Sequence, residues 1–324
     1  MPDLPPPTDA PKVSVLMVTY NHEKFIAQAI ESVLMQKTDF PFELLIGEDC
    51  STDGTREIVR EYSRKHPGII RAYLRAPNIG ARENFRQVFV AARGRYLTPL
   101  EGDDYWTDPR RLQLLADALD AHPETAICGH RTIRHDEDGA QPDEVIQKLP
   151  AGMYRLEDLL PWCFLHTSSA MFRRLIEEPP EWCNHLSCGD LPLFVELARH
   201  GDICFLDECM AVYRIHGGGI WSGLDHTQRF RNTRALYQAY YDNLDPKYRP
   251  AIREGLRKAV FDGGLAQFSA GRPEQTRQSL REYVGLCGPF EGLSQKALLA
   301  LKGYGWWIYP FWRQARRLWR RQGA

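Results

Sequence analysis

The sequence predicts an α/β fold with a mostly parallel central sheet flanked by helices, followed by a helical C-terminal appendage. Three observations predict it. Between residues 13 and 129, apolar runs of strand length alternate with stretches of helical apolar spacing. That alternation implies right-handed crossovers between parallel strands. Several of the runs end in polar or acidic residues, which is how open α/β sheets present a site at the carboxyl ends of their strands. From Asp225 onward the spacing is helical.

The elements follow in order. Residues 13–18 are a buried-strand run ending in Thr19, Tyr20 and Asn21, and Phe25, Ile26, Ala29, Ile30, Val33 and Leu34 recur at helical spacing. Residues 42–46 form a second strand ending in Gly47, Glu48 and Asp49. The turn at 50–54 leads to a helix with Ile58, Val59 and Tyr62 on one face. A third strand, 69–74, is followed by a turn at Asn78-Ile79-Gly80 and a helix through Phe85, Val88 and Phe89. The fourth strand, 96–100, ends in Glu101, Asp103 and Asp104. Asp108 then reads as an N-cap and Pro109 as the first residue of a helix to about Ala121. A strand at 125–129 closes the alternating part. Residues 136–150 read as a polar loop and 168–172 as a strand. A helix is expected at 191–199 behind Cys188-Gly189-Asp190, and two short strands at 203–206 and 210–215. The helical region breaks at Asp245-Pro246 and at Gly271-Arg272-Pro273. The organisation is therefore a disordered, proline-rich lead-in (1–11), an α/β domain (12–222) and a helical region with an aromatic-basic end (223–324).

Composition removes several functions. The net charge of −1 gives no global attraction to nucleic acid. The eight cysteines form no CxxC pair, and a chain of 324 residues needs no disulfide framework, so they read as reduced thiols of a cytoplasmic protein. The first residues have neither the basic nor the apolar segment of a signal peptide, and no apolar run reaches transmembrane length.

Chemistry concentrates at LEGDDYW, residues 100–106. With the strand extended through Gly102, Glu101 and Asp103 point to one face and Asp104 to the other. Two carboxylates on one face call for a cation, and all-oxygen ligands suit Mg²⁺ or Mn²⁺. The competing reading is a polar loop that starts a helix.

Six landmarks stand in a specific order: VSVLMVTYN at 13–21, GEDCSTDGT at 47–55, NIGARENF at 78–85, LEGDDYW at 100–106, CGD at 188–190 and YRIHGGGIWS at 213–222. Together they resemble the family 2 glycosyltransferases of the GT-A fold, a Rossmann-like α/β architecture, over residues 12–222. The resemblance implies inverting transfer from a nucleotide-diphosphate sugar, most simply a UDP-sugar, to an acceptor hydroxyl on a glycan or a lipid-linked glycan. The expected setting is bacterial surface polysaccharide or glycan biosynthesis. It also implies roles by position. Thr19, Tyr20 and Asn21 contact the nucleotide, and Asp49 accepts from the ring N–H of a uracil. Asn78 and Arg82 belong to a loop over the nucleotide, with Arg82 suited to a diphosphate. Glu101, Gly102 and Asp103 take the register of the family's DxD motif, with Glu101 replacing the first aspartate. Asp103 is then the metal ligand and Glu101 a contact to ribose or metal-bound water, while the role of Asp104 is left open. His216 is a second candidate ligand, shifting preference from Mg²⁺ toward Mn²⁺. Trp221, after three glycines, stacks on sugar or nucleotide beneath a closing loop. Asp190 is the candidate general base, although Gly189 precedes it where the family often has a second acid; a plain helix cap is the alternative. His166, Thr167 and Ser168 are minor acceptor-side candidates.

The C-terminal end mixes Trp306, Trp307, Trp312 and Trp319 with Arg313, Arg316, Arg317, Arg320 and Arg321. This fits a segment in a membrane interface, hence an enzyme that is cytoplasmic or peripheral on the inner face of the cytoplasmic membrane. A helix docked on its own domain is the alternative. Two rival functions remain: a sugar-nucleotide nucleotidyltransferase, against which VTYNHEKF stands where a glycine-rich loop belongs, and an inactive nucleotide-sugar-binding module, which Gly189 would favour.

Overall fold

A computed structural model describes residues 10–219, 221, 223–269, 271, 274, 278 and 279. The lead-in before residue 10, Cys287 and the aromatic-basic end lie outside the described residues. The chain divides into two compact units, Met1–Ser222 and Gly223–Ala324.

The first unit is built on one mixed sheet. Its strands are β1 (Val13–Thr19), β2 (Phe42–Glu48), β3 (Ile70–Leu74), β4 (Tyr96–Glu101), β5 (Tyr105–Trp106), β6 (Thr125–Asp136), β7 (Glu144–Val145), β8 (Gly152–Tyr154), β9 (Met171–Arg173) and β10 (Asp202–Ile215). Its helices are α1 (Ile26–Leu34), α2 (Thr55–Lys65), α3 (Ala81–Ala91), α4 (Arg111–Ala121), α5 (Leu156–Leu159) and α6 (Asp190–Leu197). The order across the sheet is β3-β2-β1-β4-β9-β6-β10-β5, with β7 beside β6 and β8 beside β10. β1 to β4 are mutually parallel and β10 runs parallel to β6, whereas β9, inserted between β4 and β6, is antiparallel to both. The four alternating strand–helix units thus form the parallel half that the apolar runs predict. Val13, Val15, Met17, Leu44, Ile46 and Leu100 join Ile26, Ile30, Val33 and Leu112 in one buried core.

Several expectations are corrected. Asp108 does not cap α4: its carboxylate accepts from the Arg110 N–H (2.8 Å) and grips the Arg110 guanidinium, so the turn holding Pro109 precedes a helix that begins at Arg111. The strand expected to end at Gly129 runs to Asp136, because β10 pairs with it along its length, and the polar stretch beyond contains β7. Ser168 and Ser169 belong to a 3₁₀ turn, Thr167–Ser169. There the His166 side chain accepts from the Ser168 N–H and the Ser169 hydroxyl pairs with the His166 backbone, local bonds that compete with a strand ladder. The two strands expected at 203–215 are one, and bulges between Phe205 and Cys209 absorb the polar Asp207 and Glu208.

In the second unit, α7 (His226–Asn243) and α8 (Arg249–Ser269) pack together across the Asp245-Pro246 break. Asp225 and Gln228 close a capping box at the start of α7.

Gly94, at the entry to β4, shows how tightly the parallel half is packed. A Cβ there would lie 2.5 Å from the Ser14 backbone nitrogen and 2.8 Å from the Val13 carbonyl carbon. Neither can yield without moving β1. Gly94→Ala should lower stability by about 1–3 kcal/mol, read as a lower urea midpoint with an unchanged slope.

Candidate active site

The carboxyl ends of β2, β1 and β4 lie side by side, and each delivers polar residues. Asn21 takes a left-handed backbone (φ 57°), and its side-chain oxygen accepts from the Thr52 N–H (2.8 Å) while its own N–H donates to Ser51 Oγ (3.0 Å). This ties the loop after β1 to the loop after β2. Tyr20 is exposed beside it. Glu48 is wholly buried and accepts from the Ser51 N–H (2.6 Å) and Arg56 Nε (2.5 Å), which fixes the turn ahead of α2. Asp49 is buried as well. Its two oxygens accept from the Ile79 and Gly80 N–H groups, each at 2.8 Å, and the Asn78 amide donates to its carbonyl (2.8 Å). Asp49 and Asn78 therefore build the loop that overhangs this edge, and a carboxylate retains lone pairs for a further donor.

At β4 the extended backbone stops at Glu101. Gly102 and Asp103 form a turn closed by the Asp104 N–H on the Glu101 carbonyl (3.1 Å), so the expected up-down alternation ends there. A Cβ on Gly102 would sit 2.6 Å from Thr19 Oγ1 and 3.1 Å from His22 Nδ1, so only glycine lets these chains approach. Asp103 Oδ2 meets His216 Nε2 at 3.1 Å, and His22 Nε2 stands 3.6 Å away. His216 Nδ1 accepts from the Gly218 N–H (3.2 Å), which puts the ring proton on Nε2, toward Asp103. Burial opposes ionisation of Asp103, but the His216 hydrogen bond and the two imidazoles outweigh it and hold its carboxyl below the usual range. Burial, then the charges of Asp103 and Asp190, pushes Glu101 up to about 8. Asp104, buried beside both acids, is raised well above the usual carboxylate range; its Oδ1 accepts from the Arg214 N–H (3.0 Å). It fastens β10 to the turn, the role that the sequence left open. Thr19 Oγ1, His22 Nδ1 and Glu101 Oε2 are buried here without a hydrogen-bond partner.

Sequence reasoning passed over Arg214. Its guanidinium donates to the Asp103 carbonyl (2.5 Å) and to Gln28 on α1, pairs with Glu137 (2.7 Å), and lies over the rings of Tyr105 (4.3 Å) and Phe25 (5.1 Å). The available signal was a lone arginine inside the apolar run 210–215, since a buried arginine requires partners.

Asp190, far along the chain, joins this edge. It is the first residue of α6, Gly189 is the cap, and no side-chain capping bond forms. Its Oδ2 instead accepts from Thr167 Oγ1 (2.8 Å), and Thr167 is also within hydrogen-bonding reach of Glu101. Burial pushes His166 down to about 4 against the pull of Asp190 and Asp103, so it is neutral at physiological pH. The Arg82 guanidinium crosses to this side and holds Cys183 Sγ (3.6 Å) and the Leu186 carbonyl, ahead of α6. Trp221 is exposed at 38%.

Asp103 and His216 offer one oxygen and one nitrogen donor at a shared point. Mn²⁺ and Mg²⁺ sites combine few protein ligands with phosphate oxygens and water, so this pair fits such an ion. Among the described residues no group of three or more His, Cys, Asp and Glu is arranged to hold a metal without them. Arg214→Met would strand Glu137, Gln28 and the Asp103 carbonyl. Because Glu137 is about one-third exposed, the expected loss of stability is about 2–4 kcal/mol, measured by urea unfolding.

Comparison with known proteins agrees with this architecture. The sequence profile of glycosyl transferase family 2 matches residues 14–178. An uncharacterised protein of Mycobacterium tuberculosis is 40% identical over 223 residues, which is 68% of this chain and 64% of the relative, so the chain spans just under two thirds of that relative's length. A putative teichuronic acid biosynthesis glycosyltransferase of Bacillus subtilis is 28% identical over 213 residues, 65% of this chain and 82% of its own. Among solved structures, TarS 1–349 of S. aureus in complex with UDP-GlcNAc aligns with a TM-score of 0.63 at 21% identity, over 86% of this chain and 82% of that one. The mannosyltransferase PcManGT of Pyrobaculum calidifontis, in complex with GDP-Man and Mn²⁺, aligns with a TM-score of 0.55 at 17% identity, over 90% and 79%. These likenesses carry the fold, which is GT-A. With just over half of its 324 residues matched by the profile, the chain belongs to glycosyl transferase family 2.

Proposed function

We propose that the protein transfers a sugar from a nucleotide-diphosphate sugar, in the first place a UDP-sugar, to an acceptor hydroxyl with inversion. One observation carries the reading: the Asp190 carboxylate lies at the same sheet edge as Glu101 and Asp103, linked to Glu101 through Thr167. A leaving-group site and a proton acceptor therefore face one space. The complexes of TarS with UDP-GlcNAc and of PcManGT with GDP-Man and Mn²⁺ support a nucleotide-sugar donor.

Thr19, Tyr20, Asn21 and Asp49 line the strand ends where the nucleotide would lie, with Asn78 in the overhanging loop. Arg82 retains further N–H groups for the diphosphate beyond those on Leu186 and Cys183. Glu101, with a free buried oxygen, would meet ribose or a bound water. Gly102 leaves room for the close approach, and Trp221 would stack on the sugar. Asp103 and His216 would hold Mn²⁺ or Mg²⁺, which neutralises charge on the departing diphosphate. To offer Nε2 to such an ion, His216 would carry its ring proton on Nδ1, the nitrogen that here accepts from the Gly218 N–H. Asp190 takes the proton of the acceptor hydroxyl as its oxygen bonds to the anomeric carbon. The carbon–oxygen bond to the β-phosphate breaks, and its electron pair leaves with the nucleoside diphosphate. Attack opposite the leaving group inverts the centre, and no enzyme nucleophile is required. The teichuronic acid relative supports a glycan acceptor of a bacterial surface polymer, either free or lipid-linked. Contact with the inner face of the cytoplasmic membrane rests on the tryptophans and arginines of residues 302–321.

Thermal-shift screening of nucleotide sugars with Mn²⁺ tests the donor, because a ligand bound only by the folded state raises the midpoint. Asp103→Ala, or chelation of the metal, should remove the donor-dependent shift. Asp190→Asn should keep the shift and lower transfer at least about a hundredfold. Transfer by Asp190→Asn at the wild-type rate would refute the base assignment.

A further inference from the structure

The 3₁₀ turn Thr167–Ser169 stands between the two functional groups of this edge. Thr167 is buried, and its hydroxyl donates to Asp190 Oδ2 at 2.8 Å. A threonine hydroxyl has one proton and two lone pairs. With the proton given to Asp190, only the lone pairs remain for Glu101. The bond therefore fixes the orientation of the Asp190 carboxylate and leaves Oδ1 to receive a proton.

The turn is fastened from beneath by the stretch that begins with Glu101 and Asp103. Trp106 Nε1 donates to the Ser168 carbonyl (2.9 Å). Arg111 donates to the same carbonyl (3.0 Å), to the Ala170 carbonyl (3.4 Å), to Thr98 Oγ1 (3.1 Å) and to His130 Nε2 (2.8 Å). Its guanidinium is wholly buried and lies 3.9 Å from the centre of the Trp106 ring. All these acceptors are neutral. A buried cation needs good partners, and the carbonyls of this turn are two of them. Asp190 has no cap or helix bond from its side chain that would orient it instead.

We propose that Thr167 is a positioning residue for the base Asp190, and that Trp106 and Arg111 lock its turn so that the base and the acids Glu101 and Asp103 keep one spacing. The inference rests on the reading of Asp190 as base. The step it serves balances with water as acceptor. The water oxygen bonds to the anomeric carbon, the bond to the β-phosphate breaks toward the nucleoside diphosphate, and the water proton passes to Asp190.

A panel of UDP-, GDP- and dTDP-sugars with Mn²⁺ is screened by thermal shift on the full chain. The sugar that stabilises wild type most is the probe, and its hydrolysis is followed as nucleoside diphosphate release. Thr167→Val should lower kcat about ten- to hundredfold, with donor KM within about twofold. Thr167→Ser, which keeps the hydroxyl, should restore kcat to within about threefold of wild type. In an Asp190→Asn background, Thr167→Val should cause no further loss, since both act through one group. Wild-type kcat in Thr167→Val with an inactive Asp190→Asn overturns the inference while the base reading stands. Equal loss in Thr167→Val and Thr167→Ser, or additive loss in the double variant, also overturns it. Wild-type turnover by Asp190→Asn, a panel that never stabilises the protein, or a bound donor that wild type does not hydrolyse, removes the reading beneath it.

Discussion

Five carboxylates, those of Glu48, Asp49, Glu101, Asp103 and Asp104, are brought to the carboxyl edge of β2 and β4, and the sheet must place them there with few cations at hand. Each is accommodated differently. Glu48 takes the Arg56 guanidinium and a backbone N–H; Asp49 takes two backbone N–H groups; Asp103 takes imidazole; Asp104 takes the N–H of Arg214. Glu101, raised to about 8 by its surroundings, holds a proton. The surrounding structure follows from these solutions. The turn before α2, the loop at 78–80, the far end of β10 and the His216 segment are each held by one of the acids.

Two buried arginines frame the edge and work differently. Arg214 is paired with Glu137 and reaches across α1, β6 and the β4 turn, so it fixes where the acids stand. Arg111 meets only uncharged acceptors, and it fixes the backbone of the turn behind them. One arginine locks the Asp103 side by charge pairing; the other locks the turn at 167–169 by carbonyl geometry.

Much of this was legible in the sequence. Apolar runs of fixed length gave β1 to β4, and the polar residues at their ends gave the edge at which the site forms. Asp103 and His216 stand together as their motifs implied, and Asp190 meets the same site although the local sequence allowed a simple cap. What escaped was long-range pairing. The role of Asp104 depends on an N–H at residue 214, and that of Thr167 on a carboxylate at 190; no local pattern encodes either contact. β6 and β10 were read too short for the same reason, since their polar halves are extended only because each pairs with the other. Ser168 and Ser169 were read into the strand beside them because the local bonds that turn the backbone at 167–169 leave no mark on the apolar run that follows.

Asp49 carries a consequence for how such an enzyme could change its donor. On the proposed reading, the carboxylate that would meet the nucleobase is also the one on which the Ile79 and Gly80 amides hang. Its replacement would alter base preference and unhook the overhanging loop in one stroke. Redesign toward another nucleotide therefore has to begin with the loop, giving residues 78–80 a second anchor before residue 49 is free to vary.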